Sequence, residues 1–105
     1  MSLQLSEISE EGKQILQGHL NRLLDSRQYP KTICPSEVAR AVQGDELSVV
    51  GAETWRDLMA PIRALAWCLR DDDVLEVLQG GEPIPDDLAL DDIKGPIRLR
   101  KIVKG

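Results

Sequence analysis

The order of hydrophobic periodicities along the chain is the feature that most limits its fold. Apolar residues recur at helical spacing in two long segments, and strand-forming residues dominate two short segments near the C-terminus. The helical segments are residues 7–27 and 54–73, and the strand segments are residues 74–79 and 96–103. Between the helical segments, residues 31–33 are predicted to form a short strand that runs into a second helix beginning at Pro35. This order predicts an α+β winged helix, in which a three-helix core carries a C-terminal β-hairpin wing.

Glycine and proline refine these boundaries. Residues 44–53 separate the second and third helices, contain two glycines and are predicted to be a connection rather than an element. Pro61 interrupts the third helical pattern, which predicts a kink or a separate starting turn before it. In the last strand Ile97 and Leu99 alternate with basic residues, so one face is predicted to be buried.

Length and composition fit a single domain over residues 1–105, with 42% hydrophobic and 30% charged residues. Residues 1–6 are expected to lie outside the fold, disordered or derived from an expression vector. No apolar run approaches the ~20 residues that span a bilayer, so no membrane partner is predicted. The N-terminus lacks the pattern of a secretory signal, so we expect a cytoplasmic protein. Cys34 and Cys68 are predicted to be free thiols packed as small apolar side chains.

The residues that catalysis commonly needs are scarce. His19 is the single histidine, which leaves no histidine partner for a nucleophile or a metal site. Gly80 and Gly81 are expected to open a hairpin rather than a helix, so they do not form a phosphate loop. The acidic residues near the C-terminus lack the spacing of an EF-hand. We therefore predict that the protein is not an enzyme, and we assign no catalytic, cofactor-binding or metal-binding residue.

Four stretches are similar to a known family: "KTICPSEVARAV", "WRDLM" followed by "IR", "GGEPI" and "KGPIRLR". Together they resemble the bacterial winged-helix family called domain of unknown function 3253, over residues 29–100. The resemblance implies a winged helix with no established activity. The stretch "ELSVVGAE" is longer than the corresponding part of the family pattern, and we interpret it as an insertion.

Arginines along the third helix suggest a nucleic-acid partner. In a winged helix this helix usually enters the major groove of DNA. Arg56, Arg63 and Arg70 are spaced by seven residues and are predicted to form one basic line. Lys31 and Arg40, on the preceding strand and helix, complete the candidate contacts. The first interpretation is therefore a DNA-binding or regulatory module whose partner is double-stranded DNA.

The charge balance opposes this interpretation. The net charge is -5, which argues against indiscriminate binding to nucleic acid or anionic membranes but does not forbid a local basic patch. Acidic residues also outnumber the single lysine in the predicted wing loop. These are Glu82, Asp86, Asp87, Asp91 and Asp92 against Lys94. A wing of this sign would repel a phosphate backbone.

Two alternatives follow from the same residues. The outward face of the third helix carries small or apolar residues, which favours a protein-interaction or homodimerisation module without nucleic-acid binding. The candidate protein interface consists of Ala60, Ala64, Trp67 and Cys68. In the other alternative the basic residues are structural, covering core edges with their alkyl stems and pairing with carboxylates. Arg98 and Arg100 would then bridge to Glu76 on the paired strand.

Overall fold

The computed structural model describes residues 3–28, 31–85 and 87–102. The described residues form four helices followed by a three-stranded antiparallel sheet. The helices are α1 (Glu10–Asp25), α2 (Pro35–Ala41), α3 (Asp45–Val50) and α4 (Met59–Asp71), and the strands are β1 (Leu75–Gln79), β2 (Glu82–Pro83) and β3 (Arg98–Lys101). Short 3-10 turns occur at Leu5–Glu7, Trp55–Leu58 and Leu90–Asp92. The predicted α+β class is confirmed, and the arrangement is compatible with a winged helix.

The N-terminal segment packs onto the fold. Leu5–Glu7 form a 3-10 turn, and the side chains of Leu3 and Leu5 contact the hydrophobic core. The expectation that residues 1–6 lie outside the fold therefore does not hold for residues 3–6, whereas residues 1–2 lie outside the described part of the chain.

Helix α1 begins at a serine cap. Ser9 Oγ accepts a hydrogen bond of 3.1 Å from the backbone N–H of Gly12, which satisfies one of the free donors of the first turn. Leu16, Leu20 and Leu24 recur at four-residue intervals and are buried in the core. The predicted first helix is confirmed, with its ends inside the predicted range.

The prediction that residues 44–53 are a connection is wrong, because α3 lies within them. Gly44 and Gly51 flank this helix with φ values of 58° and 88°, a region that glycine enters without steric cost. Val50 is buried where α3 packs against α1. A helix of six residues is too short for hydrophobic periodicity to distinguish it from a loop.

The predicted third helix consists of two elements, since the 3-10 turn Trp55–Leu58 precedes α4. The carboxylate of Asp57 accepts hydrogen bonds from the N–H groups of Glu53 (3.0 Å) and Thr54 (3.2 Å) and so fixes the turn. Pro61 falls in the first turn of α4, where a missing N–H leaves no helical bond unmade. This is the separate starting turn that the sequence predicts.

The sheet has the order β2-β1-β3. Strands β1 and β3 pair antiparallel, with Val77 opposite Leu99. The predicted strand over residues 31–33 reduces to one bridge, between Ile33 and Leu99. Ile97 and Leu99 are buried, so the predicted inward face of the last strand is confirmed. Strand β2 was not predicted and pairs with the other edge of β1 across the turn at Gly80.

The wing differs from a simple two-stranded hairpin. After β2 the chain leaves the sheet, and the 3-10 turn Leu90–Asp92 packs on α4 before β3 begins. The loop that the sequence predicts at the tip of a hairpin therefore lies against α4. Among the described residues, no helix combines the length and apolar composition needed to cross a bilayer.

Candidate nucleic-acid interface

Arg40 and Arg56 lie beside the same aromatic ring. Arg40 is in the last turn of α2, and Arg56 follows Trp55 in the turn before α4. The guanidinium carbon of each arginine is 4.7 Å from the centroid of the Trp55 ring. A cation at this distance is attracted by the ring's electron-rich face. We call these three residues the Arg–Trp cluster.

Neither arginine of the Arg–Trp cluster has a carboxylate of another described residue within 4.0 Å. Other arginines do: Arg27 pairs with Glu37 at 2.8 Å, for example. The side chains of Arg40 and Arg56 are also exposed to solvent. Each guanidinium carries five N–H donors in a rigid plane, which suits the oxygens of a phosphate or carboxylate. The cluster therefore offers two available cationic groups on one small surface.

A groove with a cavity of about 520 Å³ lies beside the Arg–Trp cluster. Its lining combines residues of α2, the following connection, α3 and the turn before α4. They are Arg40, Val42, Gln43, Gly44, Leu47, Thr54, Trp55 and Arg56. Of the stretch that we interpreted as an insertion, Leu47 lines the groove.

The predicted basic line along the third helix is broken. Arg63 Nη1 donates a hydrogen bond of 3.1 Å to the carbonyl oxygen of Gly95. Arg70 is 8% exposed and donates to the carbonyl oxygens of Pro85 (2.6 Å) and Leu88 (3.3 Å). Only Arg56 of the three predicted arginines belongs to the Arg–Trp cluster.

The other basic residues of the prediction lie apart from the cluster. Lys31 is exposed between α1 and α2, forms no ion pair with another described residue and does not line the groove. Arg100 pairs with Glu76 across the strands, as the structural alternative predicts. Arg98 instead donates to Thr32 Oγ1 at 2.8 Å.

Residues 87–95 of the wing, which we call the cover segment, lie against α4, with the 3-10 turn Leu90–Asp92 in contact with the helix. Leu88, Leu90 and Ile93 are partly buried against the core. A crevice between the two elements has a cavity of about 440 Å³. It is lined by Gln4, Ala60, Arg63, Ala64, Leu90, Asp91 and Ile93.

The cover segment changes the predicted protein interface. Trp67 is 8% exposed, with the guanidinium of Arg70 4.7 Å from its ring centroid, so it is not the exposed aromatic residue that was predicted. Ala64 is half-buried, whereas Ala60 is exposed. Cys68 is exposed as well, which contradicts its predicted packing as an apolar side chain. The surface predicted to receive another protein is thus partly covered by the chain itself.

His19 has a structural environment between α1 and α3. Arg22 Nη2 lies 3.0 Å from His19 Nδ1, and Glu46 Oε1 lies 2.9 Å from Nε2. Since arginine only donates, Nδ1 is the acceptor and Nε2 carries the proton that Glu46 accepts. In the described part of the chain no three His, Cys, Asp or Glu residues are grouped so that they could hold a metal ion.

Sequence reasoning included Arg40 and Arg56 among the candidate contacts but missed Trp55 as the residue that joins them. The three positions are brought together by the packing of α2 on the turn before α4. The only local signal was the neighbouring pair Trp55–Arg56, which by itself indicates no partner for the ring.

The structure defines an α+β protein with a winged-helix-compatible arrangement and an exposed Arg–Trp cluster. The model of the family described as "Protein of unknown function (DUF3253)" matches residues 13–102, and the chain belongs to this family. The predicted family is therefore confirmed. A search of the curated proteins finds no match.

Proposed function

We propose that this protein is a duplex-DNA-binding module that contacts phosphate oxygens through Arg40 and Arg56. The observation that supports this proposal is the Arg–Trp cluster, in which two exposed guanidinium groups lie 4.7 Å from one ring and have no carboxylate partner among the residues that the structure describes. Charged hydrogen bonds from guanidinium to phosphate are short and directional.

The position of the cluster also supports contact with DNA. In helix-turn-helix proteins the recognition helix enters the major groove through its first residues, and the helix before it crosses the backbone. Here Arg40 lies in the last turn of α2, which is separated from α4 by the short α3, and Arg56 lies just before α4. Gln43 and Thr54 are exposed at the same groove and add hydrogen-bonding groups. Side chains of this kind commonly contact phosphate and fix the register on the duplex.

Two phosphate contacts imply weak binding that depends moderately on salt. The logarithm of the binding constant should fall with a slope of about -1.8 against the logarithm of salt concentration. A fourfold rise in salt would then weaken binding about 12-fold. The net charge of -5 and the exposed Asp87, Asp91 and Asp92 act in the same direction, so the affinity belongs in the weak part of the range of non-specific binding.

Fluorescence anisotropy of a labelled mixed-sequence duplex, titrated with protein at low and moderate salt, tests the proposal. The double variant Arg40→Ala/Arg56→Ala should lose most of the binding and the salt slope. The matched control Lys13→Ala/Lys101→Ala removes the same charge from α1 and β3, where both lysines form surface ion pairs, and should keep the slope. Equal losses in both double variants, or no binding by the wild type at low salt, would contradict a specific phosphate site at the cluster.

A second candidate function is an interaction module for an acidic protein segment. The apolar lining of the groove, from Val42, Leu47 and Trp55, favours it. A partner segment would place a carboxylate on the arginines and an apolar side chain between them. A labelled acidic peptide with one leucine, in the same anisotropy assay, distinguishes the candidates by whether it or the duplex binds more tightly. Homodimerisation, the other form of this candidate, is read out by sedimentation equilibrium. Both candidates are binding roles, and neither involves a catalytic step.

A further inference from the structure

The cover segment is held to α4 by side chains rather than by backbone pairing. Its backbone hydrogen bonds among described residues are short-range, such as Asp92 N–H to the oxygen of Ala89 and Ile93 N–H to the oxygen of Leu90. Its links to other elements come from the guanidinium groups of α4 described above and from Gln79 Nε2, which donates to Lys94 O at 2.6 Å. Such a segment can leave the helix without unpairing the sheet.

A glycine ends the cover segment. Gly95 has a φ of 93°. Residues without a Cβ adopt many backbone conformations, and hinges are a few loop positions that absorb large dihedral changes. Before the segment, β2 pairs with β1 and the N–H of Ile84 donates to Val77 O at 2.9 Å, so the chain stays anchored to the sheet there. The segment can therefore pivot at Gly95 while β2 remains paired.

The closed cover removes positive surface from α4. Arg63 and Arg70 direct their donors to wing carbonyl groups, while Asp91 shares a crevice with Arg63. Leu90 and Ile93 lie in the same crevice. With the segment in this position, the middle of α4 cannot enter the major groove of a duplex.

We propose that the cover segment is autoinhibitory, and that its opening adds Arg63 to the DNA surface formed by Arg40 and Arg56. This inference rests on the proposed function and deepens it, because it assigns a regulated part to the same surface. Arg70 keeps its place when the segment opens, because it also donates to Pro85 O at 2.6 Å, outside the segment, and stacks on Trp67. The closed form makes two phosphate contacts and the open form makes three. Counterion release then predicts salt slopes of about -1.8 for the closed form and about -2.7 for the open form.

The variant Leu90→Ser/Ile93→Ser tests the inference, because it weakens the apolar contacts of the cover without touching an arginine. Amide hydrogen exchange of residues 87–95, measured without DNA, should become at least severalfold faster. The salt slope of duplex binding should steepen to about -2.7, so that a fourfold rise in salt weakens binding about 40-fold. Adding Arg63→Ala to this variant should return the slope to about -1.8.

A charge control separates opening from simple repulsion. The triple variant Asp87→Asn/Asp91→Asn/Asp92→Asn removes negative charge and keeps the apolar contacts. It should bind DNA more tightly at low salt while its slope stays near -1.8 and its exchange is unchanged. Should it reproduce the steep slope without faster exchange, the cover would act only as a charge and the inference would be wrong.

The remaining outcomes are also decisive. Faster exchange with a slope unchanged from the wild type would overturn the autoinhibitory role but leave the proposed function intact, since the wild type would still bind through the Arg–Trp cluster. Unchanged exchange would show that Leu90 and Ile93 do not hold the cover and would overturn the inference as well. Absence of DNA binding in both wild type and opened variant would instead reject the proposed function. If circular dichroism shows that the serine variant is unfolded, Leu90→Ala/Ile93→Ala serves the same purpose.

Discussion

Arg63, in α4, donates a hydrogen bond of 3.1 Å to the carbonyl oxygen of Gly95, at the end of the wing. This contact, together with those of Arg70, binds the wing to α4. The arginines of α4 thus use their charged donors on backbone carbonyl groups of the wing. In the basic last strand, by contrast, Arg100 pairs with the carboxylate of Glu76.

Replacing Arg70 should destabilise the wing more than replacing Arg63. Arg70 is 8% exposed, donates to two carbonyl groups and stacks on Trp67. Because hydrogen bonds from a charged donor contribute about 1.5–3 kcal/mol, Arg70→Met should lower the free energy of unfolding by about 2–3 kcal/mol. Arg70→Lys should not restore it, since an ammonium group lacks the planar fork and the stacking surface. Urea denaturation measures both variants.

The control for this prediction is Arg63→Met, which removes one hydrogen bond from a more exposed arginine. Arg63→Met should lower the free energy of unfolding by about 1 kcal/mol or less. If the Arg70 and Arg63 variants lose equal stability, the buried position of Arg70 contributes nothing to holding the wing.

Replacing either of two glycines of α1 by alanine should change the stability of the protein, in opposite directions at the two positions. A Cβ at Gly12 would lie 2.6 Å from Ile8 Cγ2 and 3.3 Å from the backbone Cα of Val50, where α3 approaches α1. Such overpacking typically costs about 1–3 kcal/mol. A Cβ at Gly18 would meet no atom within 4 Å, so Gly18→Ala should raise stability by about 0.5–1 kcal/mol through helix propensity. Thermal and urea denaturation of both variants tests the pair, and a stabilised Gly12→Ala would refute the close approach of the two helices.

The elements that sequence predicts correctly are those with a regular period or a strong local signal. Leu16, Leu20 and Leu24 fix α1 by their spacing, and the alternation of Ile97 and Leu99 fixes the buried face of the last strand. The turn before Pro61 follows from the missing N–H of proline. Helix α3 was missed because its six residues span less than two turns, and its burial depends on contact with α1.

The candidate site was less predictable, because it depends on contacts between distant segments. Projection onto an ideal helix places Arg56, Arg63 and Arg70 on one line, but it cannot show that the wing returns across that helix. Trp67 belongs to the buried core cluster, which the projection did not show either. Arg40 is fifteen positions before Trp55, so only the packing of α2 on the turn before α4 brings the guanidinium to the ring.

The backbone after α4 predicts a stabilising substitution. Asp73 has a φ of 61°, in the left-handed region that costs a residue with a Cβ about 1 kcal/mol. Asp73→Gly should therefore raise the free energy of unfolding by about 0.5–1 kcal/mol. Asp72 has a φ of -88°, and Asp72→Gly should lower stability by a similar amount because it only adds freedom to the unfolded chain. Both changes remove one carboxylate near the helix C-terminus, so the difference between the two variants isolates the backbone effect from charge.

The cross-strand pair Glu76–Arg100 should be coupled more strongly than the pair Asp25–Lys101. The side chains of Arg100 and Glu76 are 16% and 34% exposed, whereas those of Lys101 and Asp25 are 51% and 67% exposed. Solvent screens the second pair, and lysine forms no bidentate contact, so its coupling energy should be at most about 0.3 kcal/mol. For Glu76–Arg100 we expect a coupling energy of about 1 kcal/mol. Double-mutant cycles with alanine, followed by urea denaturation, measure both values.

Salt separates the two pairs further. Raising the salt from 0.1 M to 1 M shortens the Debye length from about 10 Å to about 3 Å. The coupling of Asp25–Lys101 should then disappear, whereas most of the coupling of Glu76–Arg100 should remain. Equal couplings that vanish together in salt would mean that the pairing of β1 with β3 gains nothing from the partial burial of Arg100.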